Sequence, residues 1–278
     1  MSRLVPPCGY KGGKRRWSRQ IAAHILSGNP RRIYDIGAGS AAVSLSLLEA
    51  GFDGDLILVE PGPWGTFWSA AARLELDFGR IESLLLTAAR MDPREVKAWT
   101  ECLAATNDTS PEMFLLLSAA AYGSVAVWHD GTGWRRGDAG TVRGYSARGY
   151  WEPGPGSRES KPRGTIFTPD RVIERVRKAA AALHLARATV MACPVEDVAL
   201  QPGTIYMDPD YAGTSGYGWS MPVEDIVARR RGPAWCSEGR VRGEPHEVIT
   251  LGERKRGALR GTSKTGGAEI LLFWPEAA

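Results

Sequence analysis

"RRIYDIGAGSAAVSLSLLEAGFDGDLILVEPG", from Arg31 to Gly62, is the stretch on which the fold turns. An apolar pair, Ile33-Tyr34, runs into Asp35. A turn carrying Gly37 and Gly39 follows, and Ser40 precedes an alanine- and leucine-rich segment that closes on Gly51. That order predicts a strand, a tight turn and a helix. "DLILVE" then reads as a second buried strand ending on Glu60. Two strands joined through one helix predict a parallel pair, and carboxylates at both strand ends stand where open α/β sheets receive ligands.

Working outward, "RRWSRQIAAHILSG" (Arg15 to Gly28) predicts a helix with Trp17, Ile21 and Ile25 on one side. The pattern changes after Trp64, where helices are expected over 66–78, 81–89, 93–105 and 111–122. The stretch from Trp128 to Gly164, rich in Gly, Arg and Trp, reads as a long loop or small irregular element. The α/β pattern resumes with a helix from Pro169 and strands in "RATVMAC" and "GTIYMDPD"; "PAWCSEG", "HEVITLG" and "AEILLFW" are three further strand candidates. The expected organisation is a split α/β core, 1–70 and 165–278, interrupted by a helical and loop insert, 71–164.

A chain of 278 residues can bury a substantial core. Its four cysteines, Cys8, Cys102, Cys193 and Cys236, form no CxxC pair and lie beside no histidine cluster. Neither a disulfide framework nor a metal site is therefore expected, and the usage suits a reducing cytosol. No stretch is long and apolar enough to span a bilayer. The net charge of +4 is modest, but basic residues gather in 11–19, 135–148, 158–163, 171–178, 229–231 and 240–260. Such patches suit a polyanionic partner. Of the four histidines, His24 and His184 fall in helices, whereas His129 and His246 sit in polar surroundings. No pair has metal-ligand spacing, so structural or surface roles are expected.

Three constellations carry chemistry. The turn "YDIGAGS" lets a ligand approach the backbone closely, and Glu60 is placed to accept from two ribose hydroxyls; together they indicate a nucleoside-containing cofactor. "GYKGGKRRW" sets Gly12-Gly13 beside Lys14, suited to a carboxylate or phosphate. In "TIYMDPDYAGTSGYG" (Thr204 to Gly218), the Asp208 side chain and the Pro209 carbonyl are two neighbouring acceptors, and Tyr211 offers a ring for stacking. An exocyclic amine has two donors to match. Holding it in line with an electrophilic methyl makes positioning and electrostatics the main catalytic contributions.

The order Gly12-Gly13-Lys14, Asp35-Ile36-Gly37-Ala38-Gly39, Glu60, helical insert and Asp208-Pro209-Asp210-Tyr211 resembles the Dam-like family of S-adenosylmethionine-dependent DNA adenine N6-methyltransferases. The resemblance implies a Rossmann-like methyltransferase core with an inserted target-recognition region. It further implies S-adenosylmethionine held by Tyr10, Gly13, Lys14 and the backbone of Asp35, Gly37, Ala38 and Gly39. Glu60 would lie on the ribose, Asp197 or alternatively Glu196 on the adenine, and Asp208 beside the transferred methyl. Asp208, Pro209, Asp210 and Tyr211 correspond to the catalytic motif, with Asp210 standing where the family has a second proline. Aspartate lacks proline's stiffness and adds a charge, while both proposed amine acceptors survive.

The implied partner is DNA, whose target base must be flipped out to reach the methyl. Candidate contacts are Arg135, Arg136, Arg143, Arg148, Arg158, Lys161 and Arg163 from the insert, with Tyr217 or Trp219 closing over the base. Two alternatives stay open: methyl transfer to adenine in RNA or to another amino-bearing base, and a nucleic-acid-binding protein of the same fold without turnover.

Overall fold

The computed structural model describes residues 3–9, 13–91, 93–121, 126–136, 168–209, 221–253 and 267–276. Its centre is a seven-stranded sheet in the order β5-β2-β1-β6-β7-β9-β8, formed by β1 (Arg32–Ile36), β2 (Asp55–Val59), β5 (Thr189–Met191), β6 (Thr204–Met207), β7 (Ala234–Glu238), β8 (Glu247–Glu253) and β9 (Ala268–Trp274). The first five strands of that order are mutually parallel. β9 runs antiparallel to both β7 and β8. The architecture is mixed α/β with a mostly parallel sheet, compatible with a Rossmann-like core.

Strand parity explains the two layers around this sheet. Ile33, Leu56, Leu58, Tyr206, Trp235 and Leu271 point into one cluster. Their sequence neighbours Tyr34, Ile57, Val59, Ile205, Met207, Cys236 and Leu272 point into the other. Both faces are buried, so these strands read as continuous apolar runs. The first face is covered by α1 (Ser18–Leu26), α2 (Ala42–Glu49), α3 (Pro63–Ala72) and α7 (Pro169–Leu185). The second takes Val195 and Val198, beside a short 3-10 turn at Val195–Asp197, and Val223 and Ile226 of α8 (Val223–Arg229).

Between α3 and α7 come α4 (Phe78–Arg90), α5 (Pro93–Ala104), α6 (Pro111–Ala120) and a two-stranded antiparallel hairpin, β3 (Val127–His129) with β4 (Trp134–Arg136). α6 is apolar nearly all round and every residue from Glu112 to Ala120 is buried, as that pattern requires. Ile81, Leu85 and Phe114 share one apolar cluster with Ile33, Leu45 and Leu58, so the helices of the insert and the sheet have a common core.

Several expectations need correction. Asp35 lies inside β1 and not at its end. The boundary between the helices expected over 66–78 and 81–89 falls earlier: α3 stops at Ala72, Leu74 takes φ 59, and Asp77 caps α4 by accepting from the Arg80 N–H at 2.9 Å. The head of the expected loop is the β3–β4 hairpin, whose turn closes from the Asp130 N–H to the Gly133 carbonyl at 3.1 Å. α8 was not anticipated. Among the described residues, no helix is long and apolar enough to cross a membrane and no group of three His, Cys, Asp or Glu side chains is placed to hold a metal.

Candidate active site

Strand order reverses at β1: β2 and β5 lie to one side, β6 and β7 to the other. In open α/β sheets the crevice beyond the carboxyl ends at such a switch point is where ligands bind. Gly37–Gly39 follow β1 there, and Asp208-Pro209 follow β6. The pairing continues past both strands, the Asp208 N–H donating to the Ile36 carbonyl at 3.0 Å and the Gly37 N–H to the Val59 carbonyl at 2.8 Å. Gly37 has φ 72, and a Cβ there would stand 2.9 Å from the Asp208 carbonyl oxygen. Both the conformation and the approach of the two strand ends therefore demand glycine.

The turn is fixed on both sides of Gly39. Its N–H donates to Glu60 Oε2 at 2.7 Å, and its carbonyl accepts from the indole N–H of the buried Trp68 at 2.8 Å. Glu60 Oε1 accepts from the Gly62 N–H at 2.8 Å. The acid expected on a ribose thus also organises the turn, and ribose hydroxyls would share its oxygens with the backbone. Ala38 lines the same turn and is 9% exposed.

Asp35 turns toward the start of α2, where Oδ2 accepts from the Ser44 N–H at 3.2 Å and the Ser44 hydroxyl at 2.5 Å. Burial pushes its carboxyl up to about 6, against the Ser44 hydrogen bonds and Lys14; the nearby charge of Glu60 adds to the rise. Asp208 is pushed up to about 7, again first by burial. Lys14 opposes that rise, whereas Glu269 and Asp35 add to it.

Lys14 is 4% exposed, and its ammonium pairs with Asp208 Oδ1, with Glu269 Oε1 at 3.9 Å. Three chain regions, the segment before α1, the end of β6 and the start of β9, therefore converge on one small charged cluster. Beneath it the Tyr206 hydroxyl meets Ser237 Oγ at 2.8 Å. Lys14, expected near the methionine end of a cofactor, is seated on the acid expected to hold the amine.

Gly13 precedes Lys14 and is exposed; Pro209 is buried; Glu196 and Asp197 are exposed on the 3-10 turn after β5. Arg135 is held within its hairpin, by Asp130 at 2.7 Å and Thr132 at 2.9 Å. Arg136 belongs to β4, but its side chain is outside the described residues. Tyr10, Arg143, Arg148, Arg158, Lys161, Arg163, Asp210, Tyr211, Tyr217 and Trp219 also lie outside them.

Sequence reasoning missed three residues here. Glu269 enters only through the antiparallel pairing of β9, and Trp68 only through the packing of α3 against the turn. Glu238, at the end of β7, is fully buried: Oε2 accepts from the Gly239 N–H at 2.7 Å, while Oε1 has no hydrogen-bond partner and lies 3.7 Å from Arg242. His129, expected in polar surroundings, instead packs edge-on against Trp134 with centroids 5.2 Å apart. Its signal was the alternation of "VWH" with "WRR" around a Gly-containing turn.

No protein-family model matches this chain, and no curated protein sequence matches it.

Proposed function

We propose that this protein transfers a methyl group from S-adenosylmethionine to the exocyclic N6 amine of adenine in DNA. The observation that carries the reading is the meeting of two strand ends. An acidic acceptor after β6 stands against a glycine turn after β1 so closely that a Cβ at Gly37 would be 2.9 Å from the Asp208 carbonyl oxygen. A nucleoside cofactor on the turn and an amine on Asp208-Pro209 would then be neighbours.

The residues present suit such a cofactor chemically: a half-buried glycine turn with no side chain at Gly37 or Gly39 to bar close approach, a carboxylate at Glu60 for a diol, and a cation at Lys14 for a carboxylate once it turns from Asp208. Bound there, it supplies an electrophilic methyl on a sulfonium. Asp208 and the Pro209 carbonyl accept the two amine hydrogens and orient the nitrogen lone pair along the transfer axis. As the N–C bond forms, the S–C bond breaks and its electron pair stays on sulfur. The nitrogen becomes cationic, which a carboxylate at Asp208 stabilises. The surplus amine proton leaves to solvent after transfer, so no tuned base is needed.

The two acceptors recognise an NH₂ and not a sugar, so the nucleic-acid class is the next question. Labelled S-adenosylmethionine should be incubated with the protein and, in parallel, duplex DNA, single-stranded DNA and RNA. The reading expects label in duplex DNA above the other two. Label confined to RNA would move the substrate class, and no label in any arm would sink the proposal.

A further inference from the structure

A cavity of about 350 Å³ lies where the starts of α3 and α6 meet the β3–β4 hairpin. Its walls include Phe114, Trp128, Trp134, Thr66, Thr109 and His129, and three prolines and a glycine make up the rest. That volume is at the small end of the range of about 300–1,000 Å³ typical of ligand pockets. Among the described residues no Asp, Glu, Lys or Arg lines it, so it suits a neutral, planar group.

The walls are fixed by packing and by their own hydrogen bonds. The Trp134 indole N–H donates to the Asp108 carbonyl at 2.8 Å, and its ring stacks against Phe114 with centroids 5.8 Å apart. Gly65 lets the first turn of α3 lie tight on the end of β2, where a Cβ would stand 2.0 Å from the Glu60 carbonyl oxygen. The polar contribution comes from His129. Its Nδ1 accepts from the Gly131 N–H at 3.1 Å, so in the neutral ring the proton is on Nε2. That Nε2 is buried and has no hydrogen-bond partner. A donor left in this state is costly, and because the atom is covered as the ring stands, a ligand in the cavity completes it with a small turn of the imidazole.

We propose that this cavity binds an unpaired nucleobase, stacked on its aromatic wall, with a ring nitrogen or carbonyl accepting from His129 Nε2. Aromatic platforms serve any base because every base has a π face. Two sources share this chemistry, a base of a nucleic acid and the adenine of a nucleoside cofactor. The hairpin favours the nucleic acid, since it leads in sequence directly into the arginine-rich stretch that includes Arg143 and Arg148. The inference rests on the function proposed above only for that choice of source.

The test uses the full protein labelled with 5-fluorotryptophan, its Trp128 and Trp134 resonances assigned by Trp128→Phe and Trp134→Phe. It is saturated with S-adenosylhomocysteine, then titrated with adenosine and with a short single-stranded DNA. Both titrants should shift the two resonances saturably, the DNA at lower concentration. Thr66→Trp, at an exposed position on the cavity rim, should abolish the shifts, and His129→Ala should weaken binding about tenfold. No shift, or shifts indifferent to Thr66→Trp, would overturn the proposal. So would S-adenosylhomocysteine shifting the same resonances and blocking both titrants, which would give the cavity to the cofactor. Binding measured here without methyl transfer in any nucleic acid would count against the strand-end reading and leave the cavity standing.

Discussion

Asp35, one residue before the end of β1, and Asp208, one residue past the end of β6, are two acids at neighbouring strands that find their partners differently. Asp35 is closed locally: Ser44, nine residues on, meets the carboxylate with both its N–H and its hydroxyl, and the side chain ties the glycine turn to α2. Asp208 finds its partner 194 residues away, in the ammonium of Lys14, and keeps a fifth of its side chain exposed while Lys14 is covered. Burial raises both carboxyls, to about 6 and about 7. The difference teaches that a raised acid is not by itself a site. One whose partners are backbone and hydroxyl groups of the next helix is a structural joint. One answered by a single flexible side chain can exchange that partner for a substrate amine.

Separating the two acids by mutation gives the largest expected effect. Asp208→Asn keeps the shape but weakens the acceptor, and methyl transfer should fall about 10²–10³-fold, the scale of losing one preorganised electrostatic group. Melting temperature should fall modestly, because removal of a carboxylate disfavoured by burial is set against leaving the covered Lys14 ammonium without its nearest counter-charge. Initial rates and thermal denaturation of the same preparation check both halves. Asp35→Ala should do the reverse. It leaves the Ser44 donors buried and unpaired, costing about 1–3 kcal/mol of stability, while the rate measured well below the melting temperature stays within a few-fold. Equal loss of activity in both variants would erase the distinction.

A smaller effect sharpens the comparison through pH. Asp208 must be ionised to accept from an amine, so activity should rise through about pH 7. Removing the opposing cation with Lys14→Met raises that carboxyl further and moves the rising limb up by about 1–3 pH units in whatever activity remains. Glu269→Gln removes a like charge and moves it down. Stability has the opposite sign. The folded protein holds a proton on Asp208 that the unfolded chain, near the ordinary value of 3.8, has lost. This contribution is full below about pH 4 and fades as pH rises to about 7. Denaturant midpoints across that range should therefore fall more steeply for the wild type than for Asp208→Asn. Parallel slopes would place the titration elsewhere.

What was legible in the sequence was local. The run from Ile33 to Glu60 spells strand, glycine turn, helix and strand, and the structure follows it almost residue by residue. Asp35 was read as the strand's end because an acid usually stops an apolar run; here Ser44 satisfies it, so β1 continues to Ile36. The position of the break between α3 and α4, at Leu74, has no compositional mark, since a left-handed leucine looks like any other. α8 carries marks of its own, Pro222 before it and Glu224 and Asp225 in its first turn, but at seven residues it is too short for an apolar period to show. The partners of Lys14 and of Gly39 were not legible. Glu269 and Trp68 reach them only through strand pairing and helix packing at long range.

Asp210, which the sequence sets between Pro209 and Tyr211, lies beyond the described end of β6, so its effect belongs to experiment. The central claim is that Asp208 and the glycine turn together place a methyl on an adenine amine. The most direct measurement is digestion of methyl-labelled DNA to nucleosides, with mass identification of the modified base, for wild type and Asp208→Asn side by side. The account predicts label in N6-methyladenine from the wild type and a loss of about 10²–10³-fold in the variant. Label in cytosine, or the same N6-methyladenine yield from both proteins, would contradict it.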